Sequence, residues 1–168
     1  MKNRLLKTSA KTILFVVAFL LVQSCKKHDS NTGCTNPNFS ASVNTNENFN
    51  ACGAYAYGVM NTYAIIGNSD NDWITIGFLT SDKSKIVPGT YKVNNGATLP
   101  AGQAFMVDIV YKEDATDLAH TYLSVSGTLV LTEASSTRYK GTFTASALQM
   151  QGGSATRTLD ATFDVNFK

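Results

Sequence analysis

From Phe39 to the C-terminus, apolar residues recur at every second position, and that period constrains the fold more than any other feature of the chain. The clearest stretch is the last one. There Leu159, Ala161, Phe163, Val165 and Phe167 alternate with Thr158, Asp160, Thr162, Asp164, Asn166 and Lys168. A β-strand sends successive side chains to opposite faces, so this alternation predicts a strand with one face buried and the other in water. The same period runs through Phe39, Ala41 and Val43, through Tyr55, Tyr57 and Val59, and through Phe105, Val107, Ile109 and Tyr111. Residues 73–79, WITIGFL, are β-branched and aromatic and read as a strand buried over much of its length. In residues 120–132 the period places Thr121, Leu123, Val125, Gly127, Leu129 and Leu131 on one face, with Gly127 marking a bulge.

Turn formers separate these runs: the Asn-rich 44–48, 67–72, Pro88-Gly89, the loop 94–102 and Gln151-Gly152-Gly153-Ser154. No window carries a long amphipathic helix. About nine short strands with hairpin spacing predict an all-β antiparallel fold, either a β-sandwich or a small partly closed β-barrel, over residues 39–168. The missing crossover helices exclude a parallel α/β sheet.

The N-terminus follows another pattern. Lys2, Arg4, Lys7 and Lys11 precede an unbroken apolar run of ten, Ile13 to Val22. A basic segment before a short apolar one is the composition of a secretory signal. Ten residues rise only about 15 Å as a helix, short of the roughly 20 residues that a span requires. Four of the fourteen basic residues and none of the twelve acidic ones lie in residues 1–24. The chain from Cys25 onward thus carries ten against twelve, a formal charge of −2. Without a basic patch, nucleic acid is not an expected partner. Residues 25–38 are polar, Asn- and Ser-rich tether composition, with a relaxed span of about 20 Å.

The residues Val22, Gln23, Ser24 and Cys25 resemble the bacterial lipobox. The resemblance implies that residues 1–24 are a lipoprotein signal peptide and that Cys25 becomes the lipidated first residue. It implies further that the membrane is a partner through that lipid. Lys26 stands where an inner-membrane retention aspartate would stand, so the outer membrane is the expected location, on its periplasmic face or at the cell surface. Cys34 and Cys52 remain, an even pair in an oxidising compartment, and are expected to form a disulfide.

Further along, Pro88-Gly89-Thr90-Tyr91, Ser126-Gly127-Thr128-Leu129, Lys140-Gly141-Thr142-Phe143 and the closing Ala161 to Phe167 complete a pattern of strand and turn motifs. Together with the lipobox and tether, this pattern is similar to small Bacteroidetes lipoproteins of unknown function. That resemblance implies a β-rich envelope protein and supplies no catalytic residue.

Candidate chemistry is sparse. His28 falls in the tether and His120 at a strand edge, and neither a GxSxG elbow nor an HExxH pair is present. Asn68, Asp70 and Asp72 occupy alternate turn positions, but Trp73 stands where a calcium loop needs glycine, so a plain hairpin turn is expected. Glu113, Asp114 and Asp117 read as a solvated acidic loop, and Asp160 and Asp164 as outward solubilising charges. No metal or other cofactor is expected. Tyr55, Tyr57, Tyr63 and Trp73 are the candidate ligand-binding residues: their rings suit either the core or a carbohydrate platform.

A non-enzymatic binding or structural module is therefore the expected function, with a glycan or an envelope protein as possible partner. A glycan-active enzyme or accessory module is the alternative. A carrier of a small apolar ligand is a third reading, and it would need an open interior at Phe105, Val107 and Phe163.

Overall fold

The computed structural model describes residues 34–59, 62–80, 82–95, 98–114 and 116–168. The signal segment, Cys25 and most of the tether lie outside them. The described strands are β1 (Phe39–Val43), β2 (Glu47–Ala51), β3 (Tyr55–Val59), β4 (Thr62–Ser69), β5 (Asp72–Leu79), β6 (Gly89–Val93), β7 (Met106–Lys112), β8 (Thr121–Ala134), β9 (Arg138–Gln149) and β10 (Thr156–Asn166). They form one sheet in the order β2-β1-β10-β9-β8-β6-β7-β5-β4-β3, which curls into a half-barrel. The all-β expectation holds. The sheet is mixed because β6 meets β7 in parallel at Val93 and Val107 while pairing antiparallel with β8.

The curl follows from the inward apolar ladder. Phe39, Phe49, Ile65, Ile76, Ile109, Leu129, Phe143, Leu159 and Phe163 all point to the concave side and are at most 3% exposed. Phe39 packs against the rings of Phe49, Phe143 and Phe163 at 5.6, 6.2 and 6.1 Å between centroids. Gly67 makes room for this cluster, since a Cβ there would meet the Phe39 ring at 3.0 Å. Phe105, Val107 and Phe163, the positions that a carrier would need open, are 2, 0 and 3% exposed, with Phe105 against Phe78 and Tyr91.

The two ends of the sheet are drawn together by the C-terminus. Phe167 bridges Ala56 of β3 in parallel, the Lys168 amide donates to the Ala56 carbonyl at 2.8 Å, and the Phe167 amide donates to Thr137 at 2.7 Å. On the other side the Asn38 side chain donates to the Ala54 carbonyl and accepts from the Ala54 amide, at 2.7 and 3.1 Å.

β8 corrects the single-face reading of residues 121–131. Register shifts between Ser124 and Ser126 in its pairing with β9, which reverses the parity as far as Leu131, where a second shift before Glu133 reverses it again. Tyr122 and Ser124 point inward before the bulge, whereas Thr121 and Leu123 join the outer side. Gly127, Leu129 and Leu131 point inward after it. Here β8 exchanges β7 for β6 as neighbour. The buried Ser124 hydroxyl serves the backbone left over, accepting from the Ile109 amide at 2.9 Å and donating to the Asn94 carbonyl at 2.8 Å. Gly127 cannot carry a side chain, because a Cβ would fall 2.2 Å from the Thr144 carbonyl oxygen.

The β1–β2 turn holds Asn44 and Thr45 at φ of 51° and 67°. Asparagine tolerates that region, while β-branched threonine is strained in it. Thr45→Gly is expected to raise stability by about 1 kcal/mol despite glycine's greater freedom when unfolded. A urea midpoint that falls or stays level would contradict that strain.

Candidate functional site

The inward ladder is apolar until its last layer at one end, where it becomes ionisable. Counting back by two from inward Phe49, Ile74 and Leu159 reaches Glu47, Asp72 and Arg157, and counting forward from Tyr111 reaches Glu113. All four come to the same end of the half-barrel, where β2, β5, β8 and β10 begin and β7 ends. The tether enters at the opposite end, beside the start of β1.

The floor of this end is made of Tyr111 and Tyr122. They are 1 and 2% exposed, stacked at 25° with centroids 5.9 Å apart. Each hydroxyl donates to a different carboxylate: Tyr111 to Asp72 Oδ2 at 3.3 Å and Tyr122 to Glu113 Oε2 at 3.1 Å. Arg157 closes over the pair. Its Nε and Nη2 donate to Glu113 Oε1 at 3.1 and 2.6 Å, and its guanidinium lies 4.6 Å from the Tyr122 ring centroid. Both Glu113 oxygens are thus committed. Among the described residues, Asp72 receives only the longer tyrosine bond, and Glu47 stands exposed nearby.

The electrostatics follow from this geometry. Burial, reinforced by the charges of Glu113, Glu47 and Asp114, pushes the Asp72 carboxyl up to about 6 against the pull of the Tyr111 hydrogen bond. Burial also raises the Tyr111 and Tyr122 hydroxyls, with Asp72 and Glu113 adding to it. The Glu113 hydrogen bonds raise Arg157, which stays charged.

Asp72 holds its proton more tightly folded than unfolded. Its contribution to stability is therefore fully present below about pH 4 and is lost as pH rises through about 6. Solvent at the rim screens the effect, so Asp72→Asn is expected to stabilise the domain at pH 7 by only about 1 kcal/mol. It should leave stability unchanged at pH 4. Urea titrations at the two pH values check this, and equal gains at both would refute it.

The structure distributes the sequence-derived candidates. Cys34 and Cys52 are bonded. Cys25 lies outside the described residues. Tyr55 and Tyr57 share the outer side of β3, with rings 6.0 Å apart, and Trp73 lies on the outer side of β5 at its far end. Tyr63 instead points inward against Phe167 at 6.3 Å, so the four rings do not form one platform. His120 ends a short 3-10 turn, its Nδ1 2.7 Å from Asp117 Oδ2. Glu113 is not a solvated loop residue, for the reason already given. Nor is Asp164 a free surface charge: Arg138 donates to both its oxygens at 2.7 and 2.6 Å.

A second concavity lies on the outer side of β1, β10, β9 and β8, an open groove of about 490 Å³ lined by Ser42, Ser126, Thr144, Ser146, Thr158 and Asp160 among others. In comparisons with family models, curated proteins and solved structures, the chain matches none.

Proposed function

We propose that this chain is a lipid-anchored protein of the outer membrane that works as a non-enzymatic binding module, with the ionisable end of its half-barrel as the binding surface. The observation that carries the reading is the switch of the inward ladder from apolar side chains to Glu47, Asp72, Glu113 and Arg157 in one layer. An interior end built only for packing has no use for these groups, since withdrawing Asp72, Glu113 and Arg157 from water is unfavourable unless each is paired, and Glu47 adds an exposed carboxylate beside them. The Val22–Cys25 stretch supports the anchor. Tether entry at the opposite end would leave the ionisable end facing away from the membrane.

Binding is favoured over catalysis because Glu113 has both oxygens engaged. Asp72 and Glu47 remain, but Glu47 stands exposed at the rim, so the two do not make the enclosed pair of working carboxyl groups that glycoside hydrolysis uses. With Arg157 committed to Glu113, the charge still offered by this end is negative, from Asp72 and Glu47. The complementary ligand carries an ammonium or guanidinium group.

Calorimetric titration of the processed protein with spermidine tests the reading. Binding should weaken about tenfold in Asp72→Asn and as pH falls through about 6. No binding, or binding indifferent to both changes, would overturn it. A glycan-binding module is the second reading, favoured by the hydroxyl-lined groove with Asp160. A glycan-array signal lost in Asp160→Ala and kept in Asp72→Asn would select it. Mass spectrometry that finds Cys25 unmodified would remove the anchor.

A further inference from the structure

Beside the ionisable end, apolar side chains stand in water. Among the described residues six large apolar side chains are exposed, and four of them belong to β8, β9 and the segments at their shared end: Leu118, Val125, Leu148 and Met150, at 44, 46, 40 and 38%. Register and hydrogen bonds bring the four together. Leu148 stands opposite Leu123, on the outer side of β8, and opposite Thr156, the residue before Arg157. The Met150 amide donates to the Thr121 carbonyl at 2.9 Å and the Gln149 side chain to the Ala119 carbonyl at 2.6 Å, so the end of β9 holds the 3-10 turn Leu118–His120. Val125 is the extra residue of the bulge, between Ser124, which faces Ala147, and Ser126, which faces Ser146. A bulge re-aims a side chain, and this one puts a valine in water two residues along from Leu123. Scattered apolar side chains are ordinary on a surface, whereas a group of them beside a charged rim marks a contact surface.

The rim is acidic. Hydrogen bonds from the Thr116 hydroxyl and amide hold the Asp114 carboxyl below the usual carboxylate range, and the Ala119 amide, with the His120 ring, does the same for Asp117. Both anions come just before Leu118, and Asp72 and Glu47 lie across the mouth. The spacing sets the size of the ligand. At this end Trp73 of β5 faces Lys112 of β7, Lys112 faces Thr121 of β8, and Thr121 is bonded to Met150 at the end of β9. Three strand spacings thus separate the strand of Asp72 from that of Leu148, about 14 Å. An extended chain covers this in about four or five residues.

We infer that the ionisable end and the apolar step form one surface for an extended peptide, with a lysine or arginine at Asp72 and Glu47 and leucine-like side chains about four residues away on Leu118, Val125, Leu148 and Met150. The inference deepens the reading of the ionisable end as the binding surface and rests on it. The partner is a cationic, amphipathic peptide segment.

Two acetylated and amidated pentapeptides, each made in both sequence directions, test it by calorimetric titration of the processed protein. One has leucine at its first two positions and lysine at its last, and the other has serine in place of both leucines. Expected is about tenfold tighter binding of the leucine peptide, an advantage that falls below about threefold in the double variant Leu148→Ser, Met150→Ser, whose fold is checked by circular dichroism. Asp72→Asn should weaken both peptides. Equal binding of the two peptides by a protein that still binds spermidine would overturn the inference and leave the ionisable end as a binding surface. A protein that binds neither spermidine nor peptide would lose both. Binding of the leucine peptide that ignores Asp72→Asn would separate the apolar step from the ionisable end and overturn the joint surface. A dimer seen by light scattering and dissolved by Leu148→Ser would assign the step to a second copy instead.

Discussion

Replacing Phe39 with alanine is expected to destabilise the domain by about 4 kcal/mol and to lower its midpoint of thermal unfolding by about 15 °C. Phe39 is 0% exposed and touches the rings of Phe49, Phe143 and Phe163, which come from three different strands. Deleting its ring removes buried apolar surface and leaves a cavity. The surrounding rings cannot close it, because β1 is held on both sides, by β2 and by β10. Phe39→Leu keeps most of the volume and should cost about 1.5 kcal/mol. Urea unfolding followed by Trp73 fluorescence measures both. A loss under about 1.5 kcal/mol for the alanine variant would mean that the β1 end of the core is loosely packed.

Phe39 also illustrates which parts of the fold were legible in the sequence. Its alternation with Ser40, Ala41, Ser42 and Val43 named the inward face without reference to any partner, and β10 was legible in the same way from Leu159 to Phe167. The face of β8 was not, because a bulge at Ser124–Ser126 reverses parity with no change in composition. Gly127 marked the neighbourhood but not which side would flip. Closure through Phe167 and Ala56 was hidden for a different reason: it depends on residues 111 apart in sequence that share no motif.

The ionisable end was legible in part. Arg157 is in phase with Leu159 and the rest of the inward ladder, and Glu113 is in phase with Tyr111, so extending each period by one step places both inside. Composition argued against taking that step, since charged residues at strand ends are normally solvated. What makes the inward positions tenable is a tertiary contact between Arg157 and Glu113, which are 44 residues apart. Tyr63 failed the platform reading for a similar reason. Its neighbours Ala64 and Ile66 are apolar enough to disguise which of the two alternating sets points to the core.

Opening the Cys34–Cys52 bridge by the double substitution Cys34→Ser, Cys52→Ser is expected to cost about 3 kcal/mol, or about 10 °C in midpoint. The bridge spans a sequence separation of 18 that contains all of β1 and β2, so it restricts the unfolded chain over the segment that supplies Phe39, Val43 and Phe49 to the core. In the folded state it is not the sole fastener there. The Asn38 amide donates to the Ala51 carbonyl at 3.0 Å, and the Asn38 side chain holds Ala54, so native β1 should survive the substitution with unchanged circular dichroism. A loss below about 1 kcal/mol would show that these hydrogen bonds already fix the β2–β3 corner and that the bridge serves the tether.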